Sequence, residues 1–123
     1  MDRKKILLVD DSSTVLLMER MILSKSEYDV VTARDGVEGV EKARAERPDL
    51  ILMDVVMPRM DGFEAVRKLR AEDATREIPV IMVTTRGELS SVETGYESGC
   101  NDYVTKPING LELLAKVRSC LGQ

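Results

Sequence analysis

The sequence predicts an α/β protein in which a parallel sheet is covered by helices on both faces. Three observations carry this. Short apolar runs alternate five times with segments of helical spacing. Those runs are hydrophobic throughout rather than apolar at every second position, as strands buried on both faces are. Residues that favour caps and turns fall at the junctions.

The first run, Ile6 to Val9, is too short for a helix and leads into Asp10-Asp11-Ser12, where Asp11 or Ser12 can cap a helix. That helix carries Val15, Met18 and Ile22 at helical spacing. Val30 to Ala33 follows as the second strand, and Asp35-Gly36 opens a helix marked by Val37, Val40 and Ala43. Pro48 precedes the third run, Leu50 to Met53, and Asp61-Gly62 opens the helix of Phe63, Val66 and Leu69. Pro79 precedes Val80 to Val83, after which Leu89, Val92 and Tyr96 predict a fourth helix, weakened by Gly87 and Gly95. The fifth strand is Tyr103 to Val104, and Leu114, Val117 and Leu121 mark the last helix. Right-handed crossovers between parallel strands then place any ligand at their carboxyl ends.

The 123 residues suffice for one domain, 1–123, with one core. A net charge of −4 with dispersed Lys and Arg argues against direct nucleic-acid binding. No apolar stretch approaches the roughly 20 residues of a membrane span, so no membrane insertion is expected. The N-terminus lacks a signal-peptide core, and the expected location is cytoplasmic. Cys100 and Cys120 have no CxxC spacing and are expected to be small buried thiols. With no histidine, neither a Ser-His-Asp nor a Cys-His triad can form. Chemistry must rest on carboxylates, hydroxyls and Lys.

Asp10 and Asp11 follow the first strand and Asp54 ends the third, so the predicted topology brings three carboxylates to one edge of the sheet. Each alone reads more simply as a loop or capping residue. Together they would raise one another's pKa, and a hard, oxygen-liking cation such as Mg²⁺ removes that penalty. Thr84 closes the fourth strand and Lys106 follows the fifth, so both point to the same crevice.

In sequence order, Leu8-Val9-Asp10-Asp11-Ser12, Leu52-Met53-Asp54 with Met57-Pro58 and Asp61-Gly62, Val83-Thr84, and Gly99 with Asp102-Tyr103 and Lys106-Pro107 resemble the motifs of response-regulator receiver domains of two-component systems. The resemblance runs from about Lys5 to Leu121. It implies a flavodoxin-like, doubly wound sheet of five strands in the order 2-1-3-4-5 with five helices. Asp54 would be the phosphoacceptor, attacking a phosphohistidine on a sensor histidine kinase or a histidine phosphotransfer protein. Mg²⁺ would be held by Asp10, Asp11, Asp54 and the backbone carbonyl of Val56. Lys106 and Thr84 would bind phosphoryl oxygens, and the peptide bond before Pro107 would be cis. Thr84 and Tyr103 would form the switch, read by a downstream target through the fourth helix, fifth strand and fifth helix. The chain would act as a monomer or a phosphorylation-linked dimer, and as a switch rather than a turnover enzyme. Because it ends at Gln123, it is expected to carry no output domain, or to be a receiver cut from a longer protein.

Three other readings compete. An aspartate-nucleophile phosphatase of the haloacid dehalogenase type expects a second Asp two residues after the first, where Val56 stands. A nucleotide- or flavin-binding module needs a glycine- or hydroxyl-rich phosphate loop after the first strand, where Asp10-Asp11 would repel phosphate. A degenerate receiver would act as a phosphorylation-independent interaction module.

Overall fold

The five apolar runs become five strands: β1 (Lys5–Val9), β2 (Asp29–Ala33), β3 (Leu50–Asp54), β4 (Val80–Thr85) and β5 (Asp102–Lys106). The structure, a computed structural model, describes residues 3–85 and 96–123. Between and after the strands lie α1 (Ser13–Ser24), α2 (Gly36–Glu46), α3 (Gly62–Ala71) and a C-terminal helix (Gly110–Leu121). The expected fourth helix falls largely on 86–95, outside the described residues, as do Gly87 and Gly95; Tyr96, Glu97 and Ser98 are helical.

All pairings are parallel, and the sheet order is β2-β1-β3-β4-β5, as the resemblance implies. Each strand extends beyond its apolar run into polar ends, such as Asp54, Thr84-Thr85 and Thr105-Lys106. The apolar run marks only the part that helices cover. The polar carboxyl ends emerge on one edge.

Alternation along the strands sorts side chains onto two faces. Leu7, Val9, Ile51, Met53 and Met82 pack with Val40, Ala43, Val66 and Leu69 of α2 and α3. Leu8, Leu50, Leu52, Ile81 and Val104 pack with Leu16 and Leu23 of α1 and with Leu113 and Val117 of the C-terminal helix. The sheet thus divides two cores and carries the site where both end.

The starts of α1, α2 and α3 match the expected punctuation, and Asn109 adds a cap, not among those expected, to the C-terminal helix. Ser12, Asp35, Asp61 and Asn109 each accept a backbone N–H from three residues on, satisfying a donor the helix leaves open. The inner face of α1, however, is not the expected one. Leu16, Glu19 and Leu23 are buried, whereas Met18 is 41% exposed and Val15 and Ile22 are half-buried. The buried stripe is rotated by one residue, about 100° around the helix. It escaped notice because a Glu occupies its middle.

Both open edges of the sheet carry a lysine from a neighbouring helix. Lys42 donates to the Thr32 carbonyl of β2, and Lys116 to the Tyr103 carbonyl of β5, each over 2.5 Å. Edge strands left bare would present pairing templates to other chains. Cys100 is buried and Cys120 half-buried, and both are free thiols.

Candidate functional site

Asp10 is placed by its own backbone, whose N–H donates to the Ala33 carbonyl over 3.1 Å and so extends the β1–β2 ladder by one residue. Its Oδ1 accepts the Ser12 N–H at 2.9 Å, which aligns the start of α1. Its Oδ2 is buried without a hydrogen-bond donor, and Lys106 Nζ stands 3.4 Å away in ion-pair range.

Asp54 ends β3 opposite Val83 and is 6% exposed. The following loop returns at once, because the Gly62 N–H donates to the Val55 carbonyl at 2.8 Å. A Cβ on Gly62 would lie 2.2 Å from the Asp54 carbonyl oxygen, so only glycine permits this approach. Asp54 Oδ1 accepts from Lys106 Nζ at 3.2 Å. Lys106, behind a cis bond to Pro107, thereby bridges Asp10 and Asp54 from the end of β5.

Asp11 is exposed at the mouth. One carboxylate oxygen each from Asp10, Asp11 and Asp54 lie within 4.8 Å of one another, the one such group among the described residues. Three carboxylates face a single ammonium. Burial is the main cause that raises Asp54 to about 6, and repulsion from Asp10 adds to it while Lys106 opposes. Burial likewise raises Asp10, against the Ser12 hydrogen bond and Lys106. At Lys106, burial works downward, but the charges of Asp54 and Asp10 outweigh it and raise the ammonium's pKa.

Thr84, 3% exposed, stands one residue beyond the Asp54–Val83 pair. Tyr103 pairs with Met82, two residues before Thr84, so Thr84 and Tyr103 project from the same sheet face as diagonal neighbours. Tyr103 is half-buried, and Val56, directly behind Asp54 and Val55, is 63% exposed. Six of the seven residues singled out in the sequence therefore lie at or next to the carboxyl edge, whereas Tyr103 stands near the start of β5, on the face that Thr84 shares.

One residue was missed. Glu19, 1% exposed, lies on the inner face of α1 in the same layer as Asp10, Asp54 and Lys106, and its Oε1 has no hydrogen-bond partner. Burial raises it to about 8, with repulsion from Asp10 second. Its only sequence signal was a polar residue within an apolar helix.

The donor set fits Mg²⁺. It consists of hard carboxylate oxygens, one of them buried and without a hydrogen-bond donor, in a place where negative charge exceeds positive. No described helix is long and apolar enough to cross a membrane.

Comparison with known proteins finds the response regulator receiver domain family matching residues 6–118. The alkaline phosphatase synthesis transcriptional regulatory protein PhoP of Bacillus subtilis is 41% identical over 96% of this chain and 48% of its own length. Protein PilH of Pseudomonas aeruginosa is 41% identical over 95% of this chain and 97% of its own length. The chain thus spans about half the length of the first of these relatives. Among solved structures, the receiver domain of the sensor histidine kinase PA1611 from Pseudomonas aeruginosa superposes with a TM-score of 0.91 at 32% identity, covering 99% of this chain and 100% of that one. That structure has a magnesium ion coordinated in its active-site cleft.

Proposed function

This chain belongs to the response regulator receiver domain family of two-component systems, and from that premise we propose that Asp54 accepts a phosphoryl group in a Mg²⁺-dependent reaction. The observation that carries the proposal is the convergence of Asp10, Asp11 and Asp54 with Lys106 bridging two of them.

In this reading an Asp54 carboxylate oxygen attacks the phosphorus of a phosphohistidine on a sensor histidine kinase or histidine phosphotransfer protein. The new O–P bond forms as the N–P bond breaks, and the electron pair leaves with the partner's imidazole. Asp10, Asp11, Asp54 and the Val56 carbonyl would hold Mg²⁺, which when bound neutralises the carboxylates and the phosphoryl oxygens. Lys106 keeps its charge and moves it from the Asp54 carboxylate to a phosphoryl oxygen. The Thr84 hydroxyl donates to another. These contacts act where charge is transferred and need no further covalent help.

The switch follows from position. Thr84 drawn toward the phosphoryl group leaves space on the face it shares with Tyr103, and the ring turns into it. A downstream protein then reads the surface of β5 and its flanking helices. The donor would meet a different face: α1 starts beside Asp11, and it exposes Leu17, Met18 and Met21. The protein so read is a cytoplasmic switch rather than a turnover enzyme.

The test is intact mass after incubation with acetyl phosphate, with and without Mg²⁺, on the wild type and Asp54→Asn. A gain of one phosphoryl group that needs both Mg²⁺ and Asp54 is expected. No gain under any condition would sink the reading in favour of a phosphorylation-independent interaction module.

A further inference from the structure

Outside the acidic crevice, one cluster brings charge, ring and backbone together at the open edge of β5. Tyr103 is the edge-strand residue whose backbone N–H and carbonyl both find side-chain partners. The N–H donates to Asp102 Oδ1 at 2.8 Å, and the carbonyl accepts from Lys116 Nζ at 2.5 Å. Lys116 Nζ also lies 3.3 Å from Asp102 Oδ1, closing a ring of contacts around this one residue. The same ammonium stands 4.7 Å from the centroid of the Tyr103 ring, and Tyr96 meets that ring edge-on at a centroid distance of 6.2 Å.

We propose that Lys116 is a positioning residue of the switch, holding Tyr103 by both carbonyl and ring in the conformation seen here and so opposing its inward turn. The inference rests on the reading of Tyr103 as a switch and adds the restraint that sets its resting population. An ammonium over a ring face is attracted by the ring's quadrupole, and the attraction ends when the ring turns away. The carbonyl contact stays with the backbone and keeps Lys116 in place. Only the ring contact therefore differs between the two states, and only a differential contact can bias an equilibrium. Losing it shifts the inward population by about two- to fivefold.

The charge is what matters, so Lys116→Met, which keeps length and apolar stem, is compared with Lys116→Arg, which keeps the cation. The readout is the fluorine resonance of 3-fluorotyrosine at position 103, assigned with a Tyr103→Phe sample. Spectra are taken with Mg²⁺ alone and with Mg²⁺ plus beryllofluoride as the phosphoryl mimic. The expected result is a wild-type Tyr103 resonance that moves on adding beryllofluoride. In Lys116→Met it starts already displaced toward that position, and Lys116→Arg restores the wild-type position. A wild-type resonance that ignores beryllofluoride overturns the switch reading beneath the inference. A wild-type response with an undisplaced Lys116→Met resonance, or with Lys116→Arg as displaced as Lys116→Met, overturns the role of Lys116 alone.

Discussion

Glu19 shows how a single buried carboxyl can dominate a protein's response to pH. Raised to about 8 by burial first and by Asp10 second, it keeps its proton in the folded chain at values where the unfolded chain has released it. Its contribution to stability is therefore complete below the ordinary carboxyl value of 4.5 and is lost as pH rises through about 8. Within that window the loss is about 1.4 kcal/mol per pH unit. Glu19→Gln keeps the shape of the protonated form and cannot ionise. In metal-free buffer it should match the wild type near pH 4 and exceed it at pH 9 in urea unfolding, and equal slopes for the two proteins would show that Glu19 is already charged at neutral pH. Asp54, raised to about 6, adds a loss of the same sign at lower pH in both proteins and so cancels in the comparison.

At the scale of elements, the site depends on turns held closed by backbone. Gly62 opens α3 directly against the end of β3, with its missing Cβ 2.2 Å from the Asp54 carbonyl and 3.0 Å from Met82 Cε. Neither backbone nor buried methionine can yield without moving Asp54. Gly62→Ala should cost about 3 kcal/mol of unfolding free energy, measured in urea, and also slow Asp54 phosphorylation by acetyl phosphate. A stable variant phosphorylated at the wild-type rate would show that the loop relaxes freely. The turn before β5 is braced differently. Arg70 donates to the carbonyls of Gly99 and Ile78 and to Asn101 Oδ1, which also accepts the Val80 N–H. Gly99 itself adopts φ 113°, open only to glycine, so α3, β4 and β5 are tied at the end opposite the site.

For the whole molecule, Mg²⁺ should be a stabilising ligand, because it relieves repulsion that the folded chain creates and the unfolded chain lacks. At a hundredfold excess over its dissociation constant it should add about 2.7 kcal/mol to unfolding, measured at constant ionic strength. Asp10→Asn should abolish most of that gain and raise metal-free stability; an unchanged Mg²⁺ effect would place the ion elsewhere. The parallel sheet and the acid cluster were legible because buried strands are uninterrupted apolar runs and each polar residue stands just past one. Strand order was not, since spacing along a chain does not say which runs become neighbours; it came from the motifs. β5 was read two residues long because an edge strand with Asp102, Thr105 and Lys106 has little apolar pattern. The inner face of α1 was misplaced because Glu19, polar yet buried, hides the stripe of Leu16 and Leu23. Lys116 gave no signal, since its partners are brought to it by the sheet edge.

The capped starts of the helices have a consequence beyond local stability. Each of α1, α2, α3 and the C-terminal helix begins a few residues after a parallel strand ends, so all four amino termini gather on the edge that carries Asp10 and Asp54. Aligned peptide dipoles leave a partial positive charge, about half an elementary charge, at every such terminus. The domain is therefore electrically polarised along its strands, although its net charge is −4. A phosphoryl group approaching as proposed would meet an edge whose backbone already favours an anion, while the carboxylates set there favour a cation. In the proposed reaction that opposition would make the crevice selective for the pair, metal and phosphoryl together, over either alone.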